Sequence, residues 1–381
     1  MIARRACFFG LLAAAWLSGA APAHAATQVR VGLVDRASSV LFSASTPAAL
    51  LDERGHTLLT IAALESWSAR ADGNGVIATG PGGRMVTVAG ELFVAPLAKS
   101  GIPLVFARTR WYRGELELRP DGGITAIDVL PLEQYLYGVV PSEMPASWDQ
   151  QALEAQAVAA RSYALANLGK HGSLGYDLCP TDDCQVYGGA AAETVATDQA
   201  VDATRAQVLT FGGRVVPAYF CASSGGYTEN SEDVWERAIP CLRAVPDYDQ
   251  KSPYFTWYKD VTVGDLAAGL ARFGVDVGTL MQVQPVDRSY SGRVKDIRIV
   301  GSNGSCVVRG ETFRMAARLD STLFNVSPVG DGTPSEFAFA GRGLGHGVGL
   351  SQWGAKALAE MGYNYTQILG HYYPGAQLSR E

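Results

Sequence analysis

The sequence predicts an α+β fold, and three observations lead to that prediction. Residues 28–125 consist of short alternating or apolar runs, such as VRVGLV, separated by turn signals such as PDGG, which is typical of strands and tight turns. From Ser147 the apolar residues recur at helical spacing instead. Residues 261–330 return to short strand-like runs with a short helix. We therefore expect a β-rich N-terminal domain, a mixed α/β catalytic core with a long Ala-rich helix, and a small inserted β-rich subdomain.

The same changes of pattern give the domain boundaries. The β-rich domain is expected over 28–125, the core over 126–260, the inserted subdomain over 261–330, and the C-terminal part of the core over 331–381. A chain of 381 residues with 48% hydrophobic and 18% charged residues is sufficient for two or three domains. Its formal net charge of -6 argues against a nucleic-acid partner, because nucleic-acid binders carry basic patches.

Residues 1–25 have the pattern of a secretory signal peptide. Arg4 and Arg5 give a positive start, an apolar stretch follows, and the segment Ala23–Ala25 supplies small residues for cleavage. A membrane anchor is the alternative, but Pro22 interrupts a stretch that is already short for a bilayer span. We expect an extracytoplasmic protein, periplasmic or secreted, with no membrane span after signal cleavage.

Glu143 is the acidic residue that the local sequence singles out. It lies between Pro141 and Pro145, which stiffen the backbone and so fix the direction of the carboxylate. It follows YLYGVV, which reads as an apolar strand or turn. Apolar neighbours would raise the pKa of its carboxyl group, as a general acid at neutral pH requires. The alternative is an ordinary acidic residue near a helix start, where the macrodipole favours negative charge.

A long helix is predicted from Ser147. Gln150 stands three residues later, as in a capping box, and small apolar residues then recur on one face until Gly169 or Gly172. A face of small side chains permits close helix packing. Arg161 flanks this face, where an arginine usually has a carboxylate partner.

Five cysteines lie beyond the signal segment, and in an oxidising compartment disulfides are expected with one thiol left over. Disulfides are predicted to involve Cys179, Cys184, Cys221 and Cys241. Cys179 and Cys184 would also supply half of a tetrahedral zinc shell, with His171 as the nearest imidazole, but the compartment favours the disulfide. A third reading makes Cys221 a nucleophile with His346 as its base.

Glycine occupies every second position from Gly341 to Gly349. In an extended chain this leaves one face without side chains, which is tolerated where a ligand or another backbone approaches closely. The strip does not fit G-x-G-x-x-G and no G-K-[ST] follows it, so nucleotide binding is disfavoured. The chain also lacks H-E-x-x-H and G-x-S-x-G, so zinc-peptidase and serine-hydrolase templates fail.

Four blocks of sequence together resemble a known family. In order, they are LPLEQYLYGVVPSEMPASWDQQALEAQAVAARSYAL, DLCPTDDCQVYGG, YFCASSGGYTENSEDVW and GRGLGHGVGLSQWGAKALAEMGYNYTQILGHYYPG. They resemble the sporulation stage II protein D family, also called SpoIID/LytB, which includes amidase enhancers. The resemblance extends from about Val29 to the C-terminus. It implies a peptidoglycan lytic transglycosylase, or alternatively a non-enzymatic peptidoglycan-binding protein that stimulates a cell-wall amidase.

The resemblance also assigns roles to particular residues. The family's catalytic glutamate matches Glu143, and a family arginine matches Arg161, which would hold Glu143 or bind a sugar substituent. Some members bind zinc through a cysteine pair and a histidine, and the pair matches Cys179 and Cys184. The third ligand has no clear match in this sequence. Zinc is therefore the cofactor to test for, and no cofactor is assigned. Leu344 and Leu350 replace the family's common tryptophan and methionine, and both remain apolar.

The implied reaction uses one carboxyl group twice. Protonated Glu143 donates to the bridging oxygen between N-acetylmuramic acid and N-acetylglucosamine, and as a carboxylate it then removes the proton of the muramyl C6 hydroxyl. The product is a 1,6-anhydro sugar, and no water is consumed. A second acid across the cleft would restore hydrolysis, which generally uses two carboxylates. The candidates for that acid are Glu229, Glu232 and Asp233.

Eight further residues of the four blocks are predicted to bind substrate. The expected partners are peptidoglycan glycan strands and a cell-wall amidase. Each candidate also has a purely structural interpretation: the serines and glycine as a turn, the aromatic residues as packing, the histidine as a core residue. The predicted substrate-binding residues are Gln185, Tyr187, Ser223, Ser224, Gly225, Tyr227, His346 and Gln352.

Overall fold

The computed structural model describes residues 26–97 and 101–381, and the predicted signal peptide at 1–25 lies outside the described residues. Strands and helices are both abundant, so the predicted α+β class is confirmed. Among the helices of these residues, none is both long and apolar enough to cross a bilayer.

The strands are β1 (Gln28–Ala37), β2 (Val40–Ala44), β3 (Ala48–Leu51), β4 (Thr57–Ile61), β5 (Trp67–Asp72), β6 (Gly75–Thr79), β7 (Met85–Ala89), β8 (Leu92–Pro96), β9 (Val105–Ala107), β10 (Arg110–Tyr112), β11 (Glu115–Pro120), β12 (Ile124–Pro131), β13 (Gln207–Phe211), β14 (Arg214–Val215), β15 (Phe220–Cys221), β16 (Trp257–Thr262), β17 (Leu280–Arg288), β18 (Val294–Gly301), β19 (Gly304–Arg309), β20 (Phe324–Val329), β21 (Glu336–Gly341), β22 (Leu350–Ser351) and β23 (Gln377–Arg380). The helices are α1 (Leu132–Glu143), α2 (Gln150–Ala166), α3 (Val195–Ala203), α4 (Ser231–Trp235), α5 (Val263–Ala271), α6 (Gly310–Ala317), α7 (Gln352–Glu360) and α8 (Tyr365–Tyr372). Short 3-10 turns lie at Pro81–Gly83, Gly172–Leu174 and Ala190–Ala192.

The N-terminal region is built from two six-stranded sheets. Their strand orders are β1-β12-β11-β8-β3-β4 and β10-β9-β2-β5-β6-β7. Strands such as β7 alternate exposed and buried residues, so each sheet turns one apolar face towards the other. The shared core includes Phe42 and Trp67. β12 pairs with β1 as far as Pro131, so this sheet crosses the boundary expected at residues 125 and 126.

α1 follows β12 directly, where the sequence had suggested a strand or turn around YLYGVV. Leu132, Tyr135, Leu136, Val139 and Val140 are buried, and their spacing is that of one helical face. This face packs into the core of the N-terminal sheets. The helix ends at Glu143.

α2 is the central helix of the core. Its N-cap is Asp149, whose carboxylate accepts a hydrogen bond from the backbone N–H of Gln151, so the helix begins later than the predicted cap at Ser147. Residues 152–164 are all buried, because the helix contacts α1, α3, α7, α8 and β13. The small side chains on α2 allow neighbours on all sides to approach closely.

The inserted subdomain has its own apolar core. Two antiparallel three-stranded sheets, β16-β21-β20 and β17-β18-β19, pack with α5 and α6. β21 pairs with β16 from Thr262↔Glu336 to Trp257↔Gly341. The unit therefore spans 257–341, wider than the predicted 261–330, and Gly341 belongs to it rather than to the core. The chain then returns to the core, where α7 and α8 pack against α2.

Candidate active site

A cleft of about 670 Å³, here called the Glu143 cleft, lies between the core and the inserted subdomain. The core supplies Glu143 and most of the lining, and α6 of the inserted subdomain supplies one wall. The lining residues are Glu143, Tyr163, Lys170, Asp182, Asp183, Cys184, Val186, Tyr219, Phe220, Cys221, Ala222, Trp235, Glu311, Arg314, Met315, Leu344, Gly345, His346 and Gln352.

Two amide donors hold the Glu143 carboxyl group, one on each oxygen. The backbone N–H of Val186 donates to Oε1 at 2.8 Å, and Nε2 of Gln352 donates to Oε2 at 3.1 Å. Gln352 is the first residue of α7, so α1, α7 and the loop around Val186 converge on one side chain. The position and direction of the carboxyl group are thus set by three separate segments.

The surroundings of Glu143 favour its protonated form. Burial raises the pKa of the Glu143 carboxyl group, and the hydrogen bonds from Val186 and Gln352 oppose part of that rise. Glu143 is also the last residue of α1, where the partial negative charge of the helix end disfavours a carboxylate. The alternative of an acidic residue stabilised at a helix start is therefore wrong.

The glycine strip is not a regular extended strand. Gly343, Gly345, Gly347 and Gly349 all have positive φ, a backbone region that favours glycine. A Cβ on Gly343 would lie 2.7 Å from the carbonyl oxygen of Ser223, and one on Gly345 would lie 2.9 Å from Cβ of Cys221. Of the two expected neighbours, a ligand or another backbone, the one found at both positions is the protein's own segment 221–223.

His346 lines the Glu143 cleft and is neutral at pH 7. Burial lowers the pKa of His346 to about 4. Its Nδ1 accepts a hydrogen bond from the backbone N–H of Val348 at 3.0 Å, and its ring packs between Tyr219 and Trp235. The pKa of the Cys221 thiol is raised by burial to about 12. A Cys221 nucleophile with His346 as base is therefore disfavoured, because the thiol stays protonated.

Arg161 does not reach the Glu143 cleft. Its guanidinium is fully buried and forms a two-pronged ion pair with Glu133 at 2.9 and 2.8 Å. Further hydrogen bonds go to the backbone carbonyls of Val201 and Gln207. The expected carboxylate partner exists, but the predicted contact of Arg161 with Glu143 or with a sugar is wrong. Arg161 ties α2 to α1 and to the end of α3.

Two predicted substrate-binding residues are buried below the cleft. The hydroxyl of Tyr187 donates to Asp128 at 2.8 Å, and Nε2 of Gln185 donates to the hydroxyl of Tyr135 at 3.3 Å. Tyr187 and Gln185 are only 2% and 1% exposed, so neither offers a surface to a glycan. Their structural interpretation is correct: they pack α1 against the loop that carries Val186.

The predicted sugar-binding turn is also internal. The hydroxyls of Ser223 and Ser224 donate to Asp249 and Asp247, each at 2.5 Å, and the N–H of Gly225 donates to Asp249 at 2.8 Å. Both serines are completely buried. The turn therefore anchors the segment next to the glycine strip and does not bind substrate.

The remaining candidates divide between the cleft and other surfaces. Gln352 lines the cleft, where it contacts Glu143, whereas Tyr227 is half-buried outside the cleft lining and packs edge-on against Tyr290. The three acids proposed for the far side of the cleft are absent from its lining. Glu229 accepts from Ser289 and Ser291, Glu232 pairs with Arg243, and Asp233 pairs with Lys295.

Glu311 and Arg314 of α6 line the cleft, and no sequence pattern indicated this. Oε1 of Glu311 accepts from Nε and Nη2 of Arg314 at 2.9 and 2.6 Å, and Oε2 has no partner among the described residues. An acidic and a basic residue three apart on a helix usually mean a solvated helix face. Only the docking of the inserted subdomain onto the core brings this pair to the cleft.

Four potential metal ligands meet at one edge of the Glu143 cleft. Donor atoms of His171, Cys179, Asp183 and Cys184 all lie within 4.8 Å of one another. Nε2 of His171 is 3.3 Å from Sγ of Cys184 and 3.2 Å from the Asp183 carboxylate. The neighbouring Cys184 thiol lowers the pKa of the Cys179 thiol, which favours a thiolate at Cys179.

The predicted disulfides are absent from the described residues. Cys179, Cys184, Cys221, Cys241 and Cys306 are all free thiols. Cys179 and Cys184 have Sγ atoms 2.7 Å apart, beyond the bond length of about 2.05 Å for a disulfide. Cys221 packs against the glycine strip, whereas Cys241 lies in the apolar cluster around α2.

Comparisons with known proteins identify two matching family descriptions and several similar proteins. Residues 120–211 match the family described as Stage II sporulation protein, and residues 230–349 match a domain of unknown function. The chain is 33% identical over 271 residues to the stage II sporulation protein D of Bacillus subtilis, covering 67% of this chain and 76% of that protein. It is 32% identical over 270 residues to an uncharacterized protein of Brachyspira hyodysenteriae, covering 70% and 72%. An amidase enhancer of Bacillus subtilis is 32% identical over 291 residues, 64% of this chain and 40% of that protein.

Proposed function

Since the chain belongs to the stage II sporulation protein D family, we propose that it is a peptidoglycan lytic transglycosylase with Glu143 as its general acid and base. The observation that supports this most directly is the environment of Glu143. Its carboxyl group lines a cleft of about 670 Å³, and burial raises its pKa. Protonation of a glycosidic oxygen requires a protonated carboxyl group, and a raised pKa favours that form.

The proposed reaction begins with proton transfer from Glu143 to the bridging oxygen. The bond between C1 of N-acetylmuramic acid and that oxygen breaks as positive charge develops on the ring. The Glu143 carboxylate then takes the proton of the C6 hydroxyl, and O6 bonds to C1 to give the 1,6-anhydro end. The proton lent in the first step returns in the second, so the enzyme is unchanged and no water is consumed.

The hydrogen bonds to Glu143 suit both steps. The N–H of Val186 and Nε2 of Gln352 stabilise the carboxylate that forms after the first proton transfer. Both donors are uncharged, and among the described residues the Glu143 carboxyl group has no ion-pair partner. A positively charged partner would lower the pKa of the carboxyl group and prevent its use as an acid. Glu311 and Asp182 are the acids in the lining to test for hydrolysis, since Oε2 of Glu311 has no partner among the described residues and the charge of Asp182 acts on Glu143.

The products of glycan digestion test the proposal. We expect the protein to release anhydro-muramyl fragments from purified peptidoglycan or from strands stripped of stem peptides, as seen by mass spectrometry. Glu143→Gln should lose product while still binding sacculi, because the amide keeps the shape but donates no acidic proton. Release of reducing ends instead of anhydro ends would contradict the proposal in favour of hydrolysis.

The second candidate function is non-enzymatic stimulation of a cell-wall amidase. The 32% identity to a protein named amidase enhancer favours it, although this chain covers 40% of that protein. The same cleft would then bind the glycan without cutting it. Faster amidase digestion of sacculi in the presence of the protein, with no anhydro product from the protein alone, would support the enhancer and exclude the lyase.

We propose a zinc ion at the cluster of His171, Cys179, Asp183 and Cys184. Two sulfur donors and an imidazole are ligands that zinc prefers. Cys179, Cys184 and His171 would hold the ion, and the Asp183 carboxylate would be available as a further ligand. Val186 lies two residues after Cys184, so the ion would fix the loop whose N–H holds Glu143. Metal analysis of the purified protein should find about one zinc per chain, and His171→Ala should lose it. Full zinc content in that variant would exclude the site.

We also place the protein outside the cytoplasm, in contact with the cell wall. The signal pattern of residues 1–25 and the proposed substrate both support this location. Cell fractionation with a C-terminal tag tests it, and retention of the tag in the cytoplasm would contradict it.

A further inference from the structure

A second pocket, of about 470 Å³, lies entirely within the inserted subdomain and its junction with the glycine strip. The turn that follows β17 lies beside the sheet of β16, β20 and β21, and the pocket is the space between this turn and the sheet. Its polar lining includes Tyr258, Arg288, Ser291, Asn325 and Arg342. We call it the arginine pocket.

The arginine pocket carries positive charge that the protein does not neutralise. Among the described residues, no aspartate or glutamate lines it. Arg288 donates only to neutral acceptors: the carbonyls of Gly292 and Phe324 at 2.7 and 2.9 Å and the amide oxygen of Asn325 at 3.1 Å. These bonds fix the guanidinium but leave its charge uncompensated. Two arginines without a carboxylate partner among the described residues therefore share one concavity and give it a local positive potential.

Arg342 differs from Arg288 in that the described part of the protein does not hold its side chain. Its backbone is held by the carbonyl of Leu323 and the hydroxyl of Ser321, but its exposed side chain has no hydrogen bond or ion pair within the part of the chain that the structure describes. A guanidinium presents a planar fork that matches a carboxylate. The pocket therefore has one fixed and one adjustable donor for an anionic group.

The other lining groups indicate what kind of molecule bears the anion. Tyr258 is 82% exposed at the pocket, and Tyr290, next to Ser291 in the chain, is 80% exposed. Large exposed tyrosines offer both a flat apolar face and a hydroxyl, which suits a sugar ring. Ser291 and Asn325 add neutral hydrogen-bonding groups. Together these groups fit an acidic saccharide better than a bare ion or an apolar ligand.

We propose that the arginine pocket binds a sugar that carries a carboxylate, and that this sugar is an N-acetylmuramic acid residue of the same glycan strand that enters the Glu143 cleft. The identification of the strand rests on the proposed function. Arg342 lines the pocket and Leu344, two residues later, lines the cleft, so their Cα atoms are at most about 7 Å apart. The two linings thus adjoin along the chain, as one strand occupying both sites would require.

Binding measurements separate this proposal from the proposed catalysis. The full chain with Glu143→Gln is titrated by calorimetry with peptide-free glycan strands, with strands that keep their stem peptides, and with chitin oligosaccharides of equal length, which lack the O3-lactyl groups and so the carboxylates that these carry. Arg342→Ala should weaken binding of the peptide-free strands about tenfold and leave chitin binding unchanged. Arg342→Lys should restore part of the loss. Arg298→Ala, an exposed arginine of the same subdomain outside the pocket, is the matched control and should have no effect.

Three results would overturn the assignment. One is unchanged binding of peptide-free strands by Arg342→Ala, and another is an equal loss for chitin oligosaccharides. The third is a loss confined to strands that keep their stem peptides, which would assign the pocket to a peptide carboxylate. Because no turnover is needed, failure of the wild-type protein to release anhydro product would contradict the proposed lyase without affecting this result.

Discussion

Replacing Gln352 by methionine should raise the pKa of Glu143 and shift the pH dependence of glycan cleavage. Nε2 of Gln352 donates to Oε2 of Glu143 at 3.1 Å, so it stabilises the carboxylate over the acid. A hydrogen bond to a charged group contributes about 1.5 kcal/mol at the low end of its range, which corresponds to a rise of about one pKa unit when it is lost. Methionine keeps the length of the side chain and removes the donor.

The assay is the initial rate of anhydro-muramyl release as a function of pH. Glu143 must be protonated to act as the acid, so the rate falls as the pH rises through its pKa. In Gln352→Met this alkaline fall should occur about one pH unit higher. The carboxyl ¹³C chemical shift of Glu143 gives the same pKa without any need for turnover.

Gln151→Met is the matched control for Gln352→Met. Nε2 of Gln151 donates to the Glu154 carboxylate at 3.0 Å, so the same kind of bond is lost outside the Glu143 cleft. The control should leave the pH profile unchanged. If the alkaline limb of Gln352→Met is unmoved, or moves to lower pH, the hydrogen bond does not control the protonation of Glu143 and the reasoning is refuted.

Two further predictions concern stability, both measured by urea unfolding. Arg161→Met should cost about 3–5 kcal/mol by leaving the Glu133 carboxylate without its buried partner, and a loss below about 1 kcal/mol would contradict the structural role. Gly345→Ala should cost about 1–3 kcal/mol, because φ is 103° and the added Cβ would meet Cys221 at 2.9 Å. Gly370→Ala, in open space on α8, is the control and should be neutral or stabilising. Equal losses at both glycines would refute the argument from backbone conformation.

The fold class and the central residue could be predicted from local sequence. The alternating runs of the N-terminal domain and the small-residue face of α2 are local patterns, and each formed the element expected. Glu143 was singled out by the prolines and apolar residues beside it, and it lies half-buried at the cleft, where Val186 and Gln352 hold its carboxyl group. α1 was misread because Gly138 and β-branched valines favour a strand, although the buried residues repeat with helical spacing.

The partners of polar side chains could not be predicted, because they come from distant parts of the chain. Tyr187 bonds to Asp128, Ser223 to Asp249, and Arg161 to Glu133. Because the sequence does not show these pairings, each residue could be predicted to contact substrate. Arg314 is the opposite case, a cleft residue that the sequence analysis did not select. An arginine three residues from an acid on a helix is typical of an exposed helix face, and only the docking of the inserted subdomain brings Glu311 and Arg314 to the cleft.

The pairing of β23 with β13 constrains the order in which the parts of the chain can fold. Thr210 in β13 contacts Ser379 in β23, a separation of 169 residues, and α7 and α8 must also reach α2 before the core is complete. The N-terminal sheets, by contrast, pair strands that are all present once residue 131 has been made. Contacts so distant along the chain form slowly, because the intervening loop must first be closed. Nascent chains should therefore pass through a stage in which the β-rich domain is folded while the apolar face of α2 still lacks its cover, the stage most exposed to proteolysis and aggregation.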